Sequence, residues 1–190
     1  VGSVAERCDD TKAYNTSLLF GPDGKLIASY RKMHLFDADL SASGGVCFKE
    51  SDTTGRGAEL VVANTDVGKV GLSICFDLRF PEMYRGLCDQ GAQILAIPSA
   101  FTLMTGKDHW HTLLRARAIE NQAWVIAPGQ WGPHDDQGLR MSYGHSLIVD
   151  PWGTVVAECG DGEGFCMAEM DLSRSDRIRS QIPMGSNRRL

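Results

Sequence analysis

The sequence predicts an α/β fold, and three observations carry the prediction. Residues 70–98 read as strand, helix and strand: Val70, Leu72 and Ile74 make a β-prone apolar run, Met83, Tyr84, Leu87 and Cys88 follow at helical spacing after Pro81, and AQILAIPS returns as an apolar run. The alternation repeats in DHWHTLLRARAIENQ, where Trp110, Leu113, Leu114 and Ile119 lie near helical spacing ahead of the strand-like AWVIAPG. Finally, 190 residues with 43% hydrophobic content suffice for one substantial core. No linker, repeat or low-complexity tract divides the chain, so one domain is expected over residues 1–190.

Taken in order, a strand is expected near residues 16–21, and the GPDGK turn leads to a second at 25–31, the antiparallel hairpin that Pro, Asp and Gly together favour. Residues 38–58, rich in Ser, Gly, Thr and Asp, read as a looser segment. ELVVANT and KVGLSIC give two more strands, and a helix follows at 81–90. The βαβ unit of residues 70–98 favours a parallel strand pair, with Cys75 and Ser99 at one sheet edge, where ligands gather. Residues 144–171 read as three strands joined by DPWG and GDGEG, and LSRSDRIRSQI as a short basic helix.

Chemistry concentrates in KVGLSICFDLRFPE, residues 69–82, where Cys75 stands at a strand-to-helix turn. A thiol there points into a cleft, near backbone amides that favour thiolate and hold a developing oxyanion. A buried, inert cysteine is the alternative, but Asp77, Arg79 and Glu82 crowd the turn in a way that a plain core strand does not need. In YRKMHLFD, Lys32 follows a strand-like run and precedes Leu35 and Phe36, which would carry its ammonium into a partly desolvated site. A surface lysine is the alternative there.

These two motifs, with YNTSLLFGPDGKLIASYRKMHLFD, FKES, PSAF, TGKDHW, LLRARAIENQAWV and SYGHSLIVDPWGTVVA in this order, resemble the nitrilase superfamily of carbon–nitrogen hydrolases. The resemblance implies a four-layer α-β-β-α sandwich, paired as a homodimer or larger homo-oligomer through an outer helical layer and the C-terminal tail. It points to the branch of deaminated-glutathione amidases and omega-amidases, which cleave small amides of 2-oxo acids without a cofactor. GQWGPH and RMSYGHS favour a deaminated-glutathione-type substrate. Omega-amide, nitrile and carbamoyl hydrolysis remain alternatives from the same superfamily.

Splitting an amide requires a nucleophile, a base and donors for the tetrahedral oxyanion. The resemblance makes Cys75 the nucleophile of an acyl-enzyme and Lys32 the cation at the carbonyl oxygen, with the Phe76 amide as a second donor. Glu50, in FKES, matches an acidic residue that orients the site; an exposed loop carboxylate is the alternative. Arg79, Phe101 and Thr105 match substrate contacts. Arg79 could clasp a carboxylate bidentately, or else close an internal salt bridge to Asp77 or Glu82. The superfamily's base lies on an early strand ahead of the position matching Tyr14, and no such segment is present; Glu6 matches the loop before YNT. An N-terminally incomplete domain is therefore expected, and a non-catalytic scaffold is the reading from a different class. His111 stands where the superfamily commonly has a glutamate.

The remaining composition sets bounds. A net charge of -5 argues against nucleic acid as the partner, and no run approaches the roughly 20 apolar residues of a membrane span. Cys8, Cys47, Cys75, Cys88, Cys159 and Cys166 show no metal-type pairing and read as reduced thiols in a cytosol-like compartment, with a mitochondrial location as the alternative. His109 and His111, two apart on a helix, point to different faces and are not expected to chelate as a pair. His145 reads as a hydrogen-bonded core residue, and His34 as support for the lysine loop. No metal site is expected.

Overall fold

The structure, a computed structural model, describes residues 1–43, 46–134 and 140–189. Its first sheet contains β1 (Val4–Arg7), β2 (Ala13–Phe20) and β3 (Leu26–Arg31), all antiparallel. The expected hairpin is present: the Gly21 amide donates to the Lys25 carbonyl, and Gly24 turns the chain at φ +75°, a conformation that costs glycine little. β1 was expected to be loop. Its residues are mostly exposed and show no apolar alternation; pairing Glu6 opposite Tyr14 is what makes it a strand.

The looser segment carries short structure. A small hairpin of β4 (Asp37–Asp39) and β5 (Cys47–Lys49) is followed by β6 (Thr54–Gly55), which joins β2 in parallel; Gly44 and Gly45 lie outside the described residues.

The second sheet begins with the hairpin of β7 (Val61–Thr65) and β8 (Gly68–Leu72), then α1 (Pro81–Asp89) and β9 (Ile94–Ala96). β8 and β9 are parallel, as the βαβ reading requires. Pro81 opens α1, where its missing N–H costs nothing. Next come α2 (Leu103–Asn121) and β10 (Trp124–Ala127), parallel to β9. β11 (Trp131–Pro133) and β12 (Met141–Tyr143) form a separate ribbon, while β13 (Leu147–Val149) and β14 (Val155–Glu158) complete six strands in the order β14-β13-β10-β9-β8-β7. α3 (Ser173–Gln181), the expected basic helix, and α4 (Met184–Asn187) end the chain.

Only two of the three strands expected over 144–171 form. Beyond β14 the chain keeps a period of two, with Cys166, Ala168, Met170 and Leu172 against the core and Phe165 and Met167 exposed, but it joins no ladder. The alternation reports which face is buried, not whether a neighbouring strand is present.

Tyr30 of β3 enters the same buried cluster as Val70 and Leu72 of β8, Leu87 of α1 and Trp110 of α2. The described residues thus build helix, sheet and sheet layers over one core. α2 approaches closely because position 106 is glycine: a Cβ there would lie 2.3 Å from the Cβ of Tyr143. No helix among the described residues is long and apolar enough to cross a membrane.

Candidate active site

Cys75 opens a tight turn, Cys75–Arg79, just beyond β8. Its φ of +49° lies in the left-handed region, which costs a non-glycine residue roughly 1–2 kcal/mol. Four bonds hold that conformation. The Cys75 amide donates to the Pro98 carbonyl at 2.9 Å, fastening the turn to the chain leaving β9. Arg117 of α2, only 4% exposed, donates twice to the Leu78 carbonyl, at 3.0 and 2.7 Å. Asp77, fully buried, reaches back to accept from the Ile74 amide at 2.9 Å.

Asp77 also binds the lysine loop. It accepts from the Tyr30 hydroxyl at 2.7 Å and from the His34 amide at 3.0 Å, and His34 Nδ1 lies 2.7 Å from its Oδ1. The Met33 amide in turn donates to the Tyr30 hydroxyl at 3.0 Å. A carboxylate with four bonds from both segments fixes Lys32 relative to Cys75. The supporting role expected of His34 follows from this, and the Arg79–Asp77 salt bridge does not form because Asp77 is already committed.

Lys32 is 3% exposed, so the surface alternative fails. Its Nζ donates to Glu50 Oε2 at 2.6 Å. Glu50 accepts also from the Phe36 amide at 2.6 Å and from Asn15 Nδ2 at 3.2 Å. It is therefore a held carboxylate beside the lysine, not an exposed loop acid. The Cys75 thiol is pushed up from its ordinary value by burial; Lys32 and the Ala100 amide pull it down without reversing the shift. A thiolate-favouring turn was expected. Here desolvation outweighs the nearby cation, so the thiol needs a base to lose its proton.

Lys32, Glu50 and Cys75 together line a cleft of about 900 Å³ that also takes in Ser99, Lys49 and Arg140. A second cavity of about 770 Å³ adjoins it, sharing Val46, Phe48, Ala100, Gln130 and Arg140. Cys75 and Ser99 thus stand at one sheet edge, as expected.

Phe76, Arg79, Phe101 and Thr105 do not line the cleft with their side chains, and the donor role expected of Phe76 concerns its backbone amide, not its ring. Phe76 packs on Phe36 and Phe80, at centroid distances of 5.0 and 5.5 Å. Phe101 is buried against Trp110, and the Arg79 guanidinium lies 5.1 Å from its ring centroid, with Arg79 Nη1 3.2 Å from His109 Nδ1. The Thr105 hydroxyl is 2.8 Å from that of Thr102, the N-cap of α2. These four form the wall behind the turn. Glu6 is likewise away from the cleft, bound to Arg31 and Thr16.

Sequence reasoning missed Asp77 as the tie between the two motifs; the only local signal was an acid two residues after the cysteine. It also missed that His111, His145 and Glu158 come together. His109 and His111 do face different partners, as expected.

A cysteine on a strained turn, a buried lysine and a held carboxylate share one cleft, an arrangement suited to covalent catalysis. The chain belongs to the carbon–nitrogen hydrolase family, whose sequence model it matches over residues 1–180. It is 45% identical over 193 aligned residues to the deaminated glutathione amidase of Homo sapiens, covering 100% of this chain and 58% of that protein. The crystal structure of the Caenorhabditis elegans NitFhit protein matches with a TM-score of 0.91 and 46% identity, over 100% of this chain and 46% of that one. Saccharomyces cerevisiae Nit3, a nitrilase-superfamily member, matches at 0.85 and 39% identity, over 100% and 65%. The fold is thus of the nitrilase type, and the chain spans well under two thirds of the human relative's length.

Proposed function

We propose that this chain forms the catalytic part of an amidase whose substrate is a small carboxylate-bearing amide, deaminated glutathione foremost. The observation that carries the reading is the Lys32–Glu50 pair, held at 2.6 Å on the wall of the cleft that contains Cys75. The Cys75 sulfur attacks the amide carbon, and Lys32 stabilises the negative charge that develops on the carbonyl oxygen. Collapse of the tetrahedral intermediate breaks the C–N bond, the thiol's proton leaves with the amine or ammonia, and water then hydrolyses the thioester.

Glu50 orients Lys32 and does not take the thiol's proton, because its oxygens already accept from Lys32, Phe36 and Asn15. No other carboxylate lines the cleft among the described residues. We assign the base to a carboxylate outside the described residues, and residues 1–190 to a single hydrolase domain. Lys49 lines the cleft beside the Lys32–Glu50 pair, and that further cation supports an anionic substrate. The exposed Trp152, Phe165 and Met167 support self-association as a homodimer, and six free cysteines support a reducing, cytosol-like compartment.

The test is amine release from a panel of amides, deaminated glutathione and 2-oxoglutaramate included, by the full-length protein and its Cys75→Ser variant. Turnover of deaminated glutathione that disappears in the variant is expected. No turnover of any panel member by folded full-length protein would favour the non-catalytic scaffold.

A further inference from the structure

Three side chains far apart in sequence converge away from the cleft. His111 Nε2 of α2 and His145 Nδ1, in the segment between β12 and β13, each lie 2.8 Å from the same oxygen, Glu158 Oε1 at the end of β14. Their ligating atoms all fall within 4.8 Å of one another. None of the three lines the Cys75 cleft.

We propose that His111, His145 and Glu158 form a binding site for a divalent transition-metal ion, Zn2+ foremost. Two imidazole nitrogens and one carboxylate oxygen are a donor set that suits zinc, and three protein ligands leave a fourth position open. Ligand bonds of about 2.0–2.1 Å in a tetrahedron separate donor atoms by roughly 3.3 Å. The two histidine–carboxylate separations need to open by only about half an ångström from 2.8 Å, and the two nitrogens lie within 4.8 Å of each other, so an ion can sit among the three donors.

The surroundings match what a metal ligand requires. His145 is held at φ +53°, its ring is stacked 4.3 Å from that of Tyr143, and its carbonyl accepts from Trp110 Nε1 at 2.8 Å. Its second ring nitrogen, Nε2, lies 3.4 Å from Asp161 Oδ1. With Nδ1 on the metal, the proton would stand on Nε2 facing Asp161, the outer carboxylate that commonly fixes a ligating histidine. His111 follows the fully buried Trp110 on α2 and meets both the Tyr143 and His145 rings edge-on. The three donors remain 22–33% exposed, so an ion can reach them. Because they come from a helix, a turn and a strand, metal bound there would cross-link α2 to β14.

Co2+ is the spectroscopic probe. Chelator-treated protein should take up one Co2+ per chain with visible ligand-field bands and no intense thiolate charge transfer, and Zn2+ should displace it. His111→Gln and Glu158→Gln, both at partly exposed positions, should each weaken binding by about tenfold or more. Zn2+ titration of the unmutated protein, followed by imidazole NMR, should move His111 and His145 but not His34, His109 or His134. The proposal is overturned by failure to retain either metal, by equal affinity in both folded variants, by a thiolate band lost in Cys159→Ser, or by shifts confined to the other histidines.

Discussion

The Tyr30 hydroxyl donates a 2.7 Å hydrogen bond to Asp77 Oδ2, joining the strand that leads to Lys32 with the turn that carries Cys75. Both residues are fully buried, so neither can exchange this partner for water. The relative placement of nucleophile and lysine is therefore a property of the core. It does not depend on either flexible side chain finding the other.

Removing that tie should cost stability in proportion to the groups left unpaired. Asp77→Ala orphans the Tyr30 hydroxyl and the amides of Ile74 and His34, each worth about 1–3 kcal/mol when buried and unsatisfied, so a loss of more than about 3 kcal/mol is expected. Tyr30→Phe strands only the Met33 amide, since Asp77 Oδ2 keeps the Ile74 amide, and should cost about 1–3 kcal/mol. Urea unfolding of both variants checks this order, and an Asp77→Ala as stable as Tyr30→Phe would refute the account.

Thiol reactivity should report Lys32 directly. Burial raises the Cys75 pKa and Lys32 lowers it, while Glu50 raises it. Lys32→Met removes the lowering influence and leaves the raising one, so the thiol should titrate at higher pH than in the parent. The rate of iodoacetamide alkylation at Cys75, followed by mass spectrometry between pH 7 and 10, should fall in the variant at every pH below the plateau. An unchanged or faster rate would remove Lys32 from the thiol's electrostatic environment.

The parts legible in the sequence were those with a local signal. The βαβ unit of residues 70–98 announced itself through apolar periodicity, and Lys32, Glu50 and Cys75 through motifs that the fold does bring to one cleft. β1 was silent because its stability comes from pairing with β2, not from an apolar face of its own. Phe101 and Thr105 were matched by motif as substrate contacts, yet here one is buried in the core and the hydroxyl of the other meets that of Thr102, the N-cap of α2. Asp77 meets residues 43 and 47 positions away, and His111 meets Glu158 across 47; no spacing rule reads such pairs.

The acid limb of stability should carry a contribution from Glu6. Its carboxyl is held down to about 2, against an ordinary 4.5, chiefly by the Arg31 guanidinium and next by the Thr16 hydroxyl. A depressed folded-state value means that the stabilisation is fully present above pH 4.5 and is lost as pH falls toward 2. Glu6→Gln should therefore be less stable than the parent at pH 6, and the gap should close between pH 4.5 and 2. Thermal unfolding across that range decides it, and a gap independent of pH would exclude an ionic origin.

The left-handed backbone at Cys75 predicts an opposition between stability and chemistry at one residue. At φ +49° any residue with a Cβ is strained by roughly 1–2 kcal/mol, whereas glycine adopts this conformation freely. Cys75→Gly and Cys75→Ala both remove the thiol, and with it the thiol's packing, so comparing the two isolates the backbone. Glycine loses more chain entropy on folding, which offsets about 0.5–1 kcal/mol of the relief. The glycine variant should still match or exceed the alanine variant in urea unfolding, by up to about 1 kcal/mol, the reverse of their order at an ordinary helical or strand position. Alanine more stable than glycine by about 1 kcal/mol would mean that the turn relaxes once the thiol is gone, and that the strain belongs to the cysteine side chain and not to the fold.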